Sequence, residues 1–391
     1  MCNDTNTIIM RYVNEILMSA IKKDVSHIHF EPYKNKLRIR FRKEQVLYEI
    51  ASPPACLSQL IITKLKAMSN LNIAECRIPQ YGLIKIKLFT KNIDFNISTL
   101  PTSYGEKIVL HLLNISIADL RIKELGMDNA QREILLQAIK QPSGMIIVSG
   151  HHGSGKTVSL YAILHFLNKP EVNICTIEQT IELAIPGINQ VGLSSSNLTY
   201  ATALKSVLLQ DPDIIMLDGL EDPETLKTTI TAAQTGHLVL LSLYTRDAPQ
   251  TLTRLANMGV PPCDIASTVL LVIAQRTLPR LCKYCKVLVK NVPNDVLLQE
   301  GFSEKDVRNG VMLYRAHGCT QCKRGYKGRV GVFEVMPVTE AVSSLVVQGG
   351  NSYQLADQAA DDGVINLRQS GIFKIKAGLA SLEELIWATR W

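Results

Sequence analysis

Apolar residues recur along this chain in two different rhythms. Ile9, Val13, Ile16, Leu17 and Ala20 share one face at helical spacing, which predicts an amphipathic helix over residues 8–21. Leu37, Ile39 and Phe41 then alternate with Arg38, Arg40 and Arg42, the pattern of a half-buried strand. Alternation returns over residues 81–88 and 92–98, and residues 57–68 predict a helix between these segments. Together they predict a small α+β domain over residues 1–115, followed by a linker at 116–126. From residue 127 the rhythm changes. Short apolar runs at 145–148, 173–177, 213–217 and 238–243 alternate with helical stretches. That order implies an α/β domain with a parallel sheet between helices, its ligands sitting at the carboxyl ends of the strands. This domain is expected to run over 127–391. It carries a basic, cysteine-containing insertion at 276–335 and C-terminal helices over 336–391.

Length and composition narrow the class. The 391 residues are enough for two or three domains, and 46% hydrophobic with 20% charged content describes an ordinary globular chain. No apolar stretch approaches the roughly 20 residues that span a bilayer. The N-terminus mixes Asp4, Arg11 and Glu15 into its apolar residues, unlike a signal peptide, so a cytoplasmic location is expected. A net charge of +7 suits anionic lipid, nucleic acid or an acidic partner and selects none of them.

The run Gly150-His151-His152-Gly153-Ser154-Gly155-Lys156-Thr157 follows an apolar strand and leads into a helix. In that order successive backbone N–H groups wrap a polyphosphate. The glycines allow close approach, Lys156 reaches the terminal phosphates, and the Thr157 hydroxyl suits Mg²⁺. The chain is therefore expected to bind a nucleoside triphosphate.

Of nine cysteines, five are scattered. The other four form two pairs, Cys282-Lys283-Tyr284-Cys285 and Cys319-Thr320-Gln321-Cys322, separated by the 33 residues 286–318. Two such knuckles supply four thiolates for a tetrahedral structural zinc site. Arg280, Lys283, Lys286, Lys323 and Arg324 offset its negative charge. No aromatic stripe or recognition helix accompanies these cations, so nucleic acid is not the favoured partner.

Several separated segments resemble the assembly ATPases of type II secretion and type IV pili. They are residues 26–32 (Ser26-His27-Ile28-His29-Phe30-Glu31-Pro32), 98–102 with Gly105-Glu106-Lys107, the phosphate loop, Thr176-Ile177-Glu178, residues 210–216, and 232–237 ending in Gly236-His237. The resemblance covers essentially the whole chain. It implies a RecA-like phosphate-loop NTPase domain and a tetracysteine zinc module. It also implies a hexameric ring holding ATP between the domains of neighbouring subunits, at the cytoplasmic face of the inner membrane. Its partner there would be a membrane platform protein. Many family members carry a further N-terminal module that docks on that platform; this chain begins at the second module.

The same resemblance assigns catalytic positions. Glu178 is the water-orienting carboxylate, with Gln179 where the family has Asp. The strand ending at Leu217 leads to Asp218-Gly219 in place of Gly-Glu, so the usual glutamate position is Gly219. Four apolar residues followed by Asp is also the general pattern of a metal-anchoring strand, which makes Asp218 a candidate Mg²⁺ anchor. His237 matches the first of two family histidines, and Tyr244 stands at the second. Two phosphate-directed arginines are replaced by Asn96 and His111. Arg38, Arg40 and Arg42 lie nearby and can equally form the wet face of their strand. The expected function is an ATP-hydrolysing motor subunit for pilus assembly or secretion. The alternatives are a nucleotide-binding structural subunit that hydrolyses poorly and, more remotely, a nucleic-acid motor.

Overall fold

A computed structural model describes residues 2–23, 25–43, 46–88, 91–113, 120–195, 198–220, 222–289 and 292–389. The chain divides into two compact units. One comprises Met1–Ser116 with Thr180–Ala184 and Gly192–Asn197; the other holds the remainder.

In the first unit, α1 (Cys2–Lys22) is followed by β1 (His27–Pro32), β2 (Leu37–Lys43), β3 (Val46–Ala51), α2 (Ala55–Met68), β4 (Gln80–Leu88), β5 (Lys91–Thr102) and β6 (Gly105–Leu113). The strands form one antiparallel sheet in the order β3-β2-β1-β6-β5-β4. Alternation decides its two faces. Ile28, Phe30, Leu37, Ile39, Phe41, Phe95, Ile97, Ile108 and Leu110 point inward and pack with Val13, Leu17, Ile61 and Leu65 of the two helices. The arginines of β2 lie on the other face. There Glu31 accepts hydrogen bonds from Arg38 Nε (2.9 Å) and from Arg40 Nε and Nη2 (2.9 and 2.8 Å), with Lys107 Nζ at 3.4 Å. Two of the three arginines are thus committed to a structural carboxylate. Glu106 is buried as well, holding the Lys66 ammonium of α2 by both oxygens at 2.9 and 2.8 Å.

The second unit opens with α3 (Asn129–Ala138), β7 (Gly144–Ser149), α4 (Lys156–Leu167), β8 (Ile174–Glu178), β9 (Asn189–Gly192), α5 (Tyr200–Leu208), β10 (Ile214–Leu217), α6 (Pro223–Gln234) and β11 (Leu238–Leu243). It continues through α7 (Ala248–Asn257), α8 (Pro262–Thr268), β12 (Val269–Leu281), β13 (Val287–Val289), α9 (Asn294–Gln299), α10 (Glu304–Arg308), β14 (Leu313–Arg315) and β15 (Tyr326–Pro337). Four helices close it: α11 (Glu340–Val347), α12 (Ser352–Asp361), α13 (Leu367–Lys376) and α14 (Leu382–Thr389). The main sheet has the order β15-β12-β7-β11-β10-β8-β9. Strands β12, β7, β11, β10 and β8 run parallel, and β15 is antiparallel to β12. Every residue of β7, β8, β10 and β11 is buried, which is why these strands read as mostly apolar runs without alternation.

Two boundaries differ from expectation. Of the predicted linker, 116–119 lie outside the described residues, and 120–126 belong to the second unit, with a 3₁₀ turn at Ile122–Glu124. The insertion is narrower than 276–335, because β12 and β15 are long strands of the main sheet and only the chain between them leaves it.

Burial would raise the Glu31 carboxyl, but the hydrogen bonds from Arg40 and Arg38 outweigh it and hold the pKa at about 2. A lowered carboxyl pKa stabilises the fold fully above its ordinary value near 4.5 and loses that contribution as pH falls toward 2. In urea unfolding followed by circular dichroism, wild type should exceed Glu31→Gln in stability at pH 6. The gap should narrow between about pH 4.5 and pH 2. A gap independent of pH would show that the ion cluster is not its source.

Candidate nucleotide site and cysteine cluster

The phosphate loop leaves β7 at the carboxyl edge of the parallel sheet and enters α4. Gly153 and Gly155 adopt φ of +74° and +88°, a left-handed backbone that lets the loop curl back on itself. Side chains are also excluded at Gly150, where a Cβ would come within 2.5 Å of the Gln275 carbonyl. His151, His152 and Gly153 are exposed, whereas Ser154 and Lys156 are buried. Lys156 Nζ donates to the Gly150 and His151 carbonyls at 3.1 and 3.0 Å and lies 3.9 Å from the Tyr244 ring centre. The ammonium is thus held over its own loop, where a polyphosphate would receive it. Among the described residues the buried Ser154 Oγ has no hydrogen-bond partner, a polar atom consistent with a ligand in the loop. Although the His151 ring is exposed, partial desolvation beside the loop, then Arg276, Lys156 and Arg246, lower its pKa.

Asp218, just after β10, joins the loop to the sheet. Its Oδ2 accepts from Thr157 Oγ1 at 3.0 Å, and its Oδ1 accepts from Ser242 Oγ at 2.5 Å. Ser242 Oγ in turn accepts from the Gly219 N–H at 2.7 Å, and Tyr200 donates to the Asp218 carbonyl. A hydroxyl and a carboxylate side by side form an oxygen donor set that suits Mg²⁺. Residues Thr157 and Asp218 therefore fit the metal that such sites use.

Glu178 ends β8 at the same edge, where the Asp218 N–H donates to the Ile177 carbonyl at 3.1 Å. It is buried, and its oxygens accept from Thr176 Oγ1 (2.6 Å), Gln190 Nε2 (3.2 Å) and Tyr161 Oη. Burial pushes its pKa up against those three hydrogen bonds, and the nearby Asp218 charge adds to the rise. Gly219 follows Asp218 with φ of +76°, and a Cβ there would meet only Tyr200 Oη at 4.0 Å. There is room for a side chain, but a glutamate at this position needs the turn to change its backbone conformation. Glu221 lies outside the described residues.

His237 does not belong to this constellation. It precedes β11, its carbonyl accepts from the Gly144 N–H at the start of β7, and its Nδ1 lies 2.9 Å from the Ala232 carbonyl at the end of α6. The strands run parallel, so His237 stands at the amino edge of the sheet, about 20 Å from the phosphate loop. In this chain its ring closes the end of α6. The other end of the same strand carries Ser242 and Tyr244, which do reach the site. Ser242 was detectable as a polar residue inside a fully apolar strand, but its hydroxyl's partner was not. In the first unit, Asn96 and His111 are directly paired across β5 and β6, and His111 faces His27 on β1 with the rings stacked 4.5 Å apart.

The cysteine pairs converge as expected. Cys282, Cys285, Cys319 and Cys322 place all four sulfurs within 4.8 Å of one another, with separations of 3.9, 3.5 and 3.6 Å for 282–319, 285–322 and 319–322. A tetrahedral ion with Zn–S bonds of roughly 2.3 Å requires sulfurs about 3.8 Å apart, so the cluster fits zinc. Backbone N–H groups of Gly318 and Cys319 point at Cys285 Sγ and Cys322 Sγ, both at 3.3 Å, as they would toward thiolates.

Comparison with known proteins adds an independent line. The family described as Type II/IV secretion system protein matches residues 3–387. The type IV pilus assembly ATPase PilB of Pseudomonas aeruginosa is 46% identical over 384 residues, covering 98% of this chain and 68% of that protein. The type II secretion system protein E of Aeromonas hydrophila is 36% identical over 390 residues, covering 99% and 77%. Among solved structures, the pilus retraction motor PilT with bound ADP matches with a TM-score of 0.65 at 20% identity, over 96% of each chain. The ATPase DotB of Legionella pneumophila gives 0.68 at 16%, over 96% and 94%. At those identities the structures establish a RecA-like fold alone. Among the described residues, no helix is long and apolar enough to cross a membrane.

Purified protein is expected to carry one zinc ion per chain by plasma mass spectrometry, and Cys319→Ser with Cys322→Ser should abolish it. Full metal content in the double variant, or none in wild type, would overturn the assignment.

Proposed function

The chain belongs to the Type II/IV secretion system protein family, and from that premise we propose that it is an ATP-binding, Mg²⁺-dependent motor subunit of a pilus-assembly or protein-secretion machine. The observation that carries this reading is the contact between Thr157 Oγ1 and Asp218 Oδ2 beneath an intact phosphate loop. The loop N–H groups and Lys156 would bind the phosphates, and Thr157 and Asp218 would hold the metal. Bound there, Mg²⁺ would neutralise charge on the β- and γ-phosphate oxygens. Glu178 would orient the attacking water, with Tyr161, Thr176 and Gln190 fixing the direction of its carboxylate.

The subunit would assemble with copies of itself into a six-membered ring and work at the cytoplasmic face of the inner membrane against a platform protein. Its zinc module would staple the excursion between β12 and β15. The pilus relative at 46% identity supports this direction of work.

A second reading is a ring subunit that binds ATP but turns it over slowly. It is favoured by the missing side chain at Gly219, by a Glu178 whose oxygens are already engaged by three donors, and by Asn96 and His111 standing where the family has arginines. A phosphate-directed arginine is worth about 10³–10⁵ in rate where it has been measured.

Steady-state phosphate release with Zn²⁺ and Mg²⁺, compared with Lys156→Ala, separates the two. The motor reading expects release above the variant's background that disappears when Mg²⁺ is removed. Release at background, together with retained nucleotide binding, would leave the structural subunit.

A further inference from the structure

Strand β12 runs beside β7 and passes directly under the phosphate loop. Gln275, 2% exposed, lies at this crossing and uses both ends of its amide. Its Nε2 donates to the Ser154 carbonyl at 2.8 Å, and its Oε1 accepts from Ser159 Oγ on α4 at 2.7 Å. The loop is built around it: a Cβ on Gly155 would stand 3.2 Å from Gln275 Nε2, and one on Gly150 would strike the Gln275 carbonyl. The next residue, Arg276, points to the opposite side of the strand. It donates to the Gln275 carbonyl at 3.1 Å and to the Arg246 carbonyl at 2.5 Å. Arg246 lies two residues beyond Tyr244, whose ring carries Lys156.

We propose that Gln275 is a positioning residue for nucleotide binding, holding the Ser154 carbonyl away from the ligand so that the loop's N–H groups face the phosphates. The proposal rests on the nucleotide-site reading above. A peptide unit offers its N–H on one side and its C=O on the other, so anchoring the Ser154 carbonyl downward turns the next N–H, that of Gly155, upward. A primary amide meets both demands at once at neutral pH, a donor toward a carbonyl and an acceptor toward a hydroxyl. Arg276 serves the neighbouring segment in the same way, fixing the backbone that presents Tyr244 to the lysine.

The test is calorimetric titration of full-length protein with Mg²⁺ and ADP, in wild type, Gln275→Glu and Gln275→Met, at pH 8 and pH 6. Glutamate keeps the shape and the acceptor but sets a carboxylate against the Ser154 carbonyl. Its affinity should fall about tenfold or more at pH 8, the scale of a buried hydrogen bond lost and a repulsion gained. At pH 6 a larger share of the buried carboxyl is protonated and can donate again, so the loss of affinity should narrow. Methionine should bind about tenfold more weakly at both pH values. Unchanged affinity in both variants would overturn the proposal, as would a glutamate defect that ignores pH, since that would be a packing effect. A wild type that fails to bind ADP would instead overturn the nucleotide-site reading. Melting temperatures without nucleotide identify a variant that has not folded; if methionine fails, the pH response of glutamate decides alone.

Discussion

The Asp218 carboxylate is the point through which the second unit is joined at its working edge. One oxygen takes the hydroxyl of Thr157 from the first turn of α4, and the other takes Ser242 from β11. Ser242 passes the connection on to the backbone of Gly219, and Tyr200 closes on the Asp218 carbonyl. A single residue thereby ties the phosphate-loop helix, two parallel strands and α5 together. The two side-chain donors to its oxygens are both hydroxyls. The Thr157 hydroxyl and this carboxylate are the oxygen donors that would hold a divalent cation.

Around that point the proposed phosphate-binding parts and the proposed catalytic parts are built differently. The first are a glycine loop, a buried lysine and the strand that supports the loop. The second are Glu178 and the turn at Gly219. Glu178 sits in a desolvated pocket that raises its pKa, with Tyr161, Thr176 and Gln190 on its oxygens. A carboxylate so held is well oriented. Gly219 contributes only backbone, in a turn that a side chain would strain. The Asp218 connection depends on that turn, since the Gly219 N–H is the donor to Ser242.

Local chemistry was legible in the sequence, and long-range chemistry was not. The phosphate loop could be read because strand, glycines, lysine and helix are contiguous. The cysteine cluster could be read because knuckle spacing is itself the signal, even across 33 residues. The alternating arginines of β2 gave the strand but not its purpose, which needed Glu31 to be placed opposite them on β1. The place of His237 at the amino edge of the sheet was not legible, because sequence distance hides which end of a parallel strand a residue occupies. Gln275 was missed for a related reason. Its partner Ser154 lies 121 residues away, and one glutamine in an apolar strand carries no spacing to read.

The central claim is that Thr157 and Asp218 together form the metal end of a nucleotide site. It is tested most directly by measuring ADP affinity with and without Mg²⁺ in wild type and Asp218→Asn. The account predicts that Mg²⁺ tightens binding in wild type and that the variant loses this gain, while metal-free affinity changes by no more than a few-fold. An equal Mg²⁺ gain in the two proteins would contradict it.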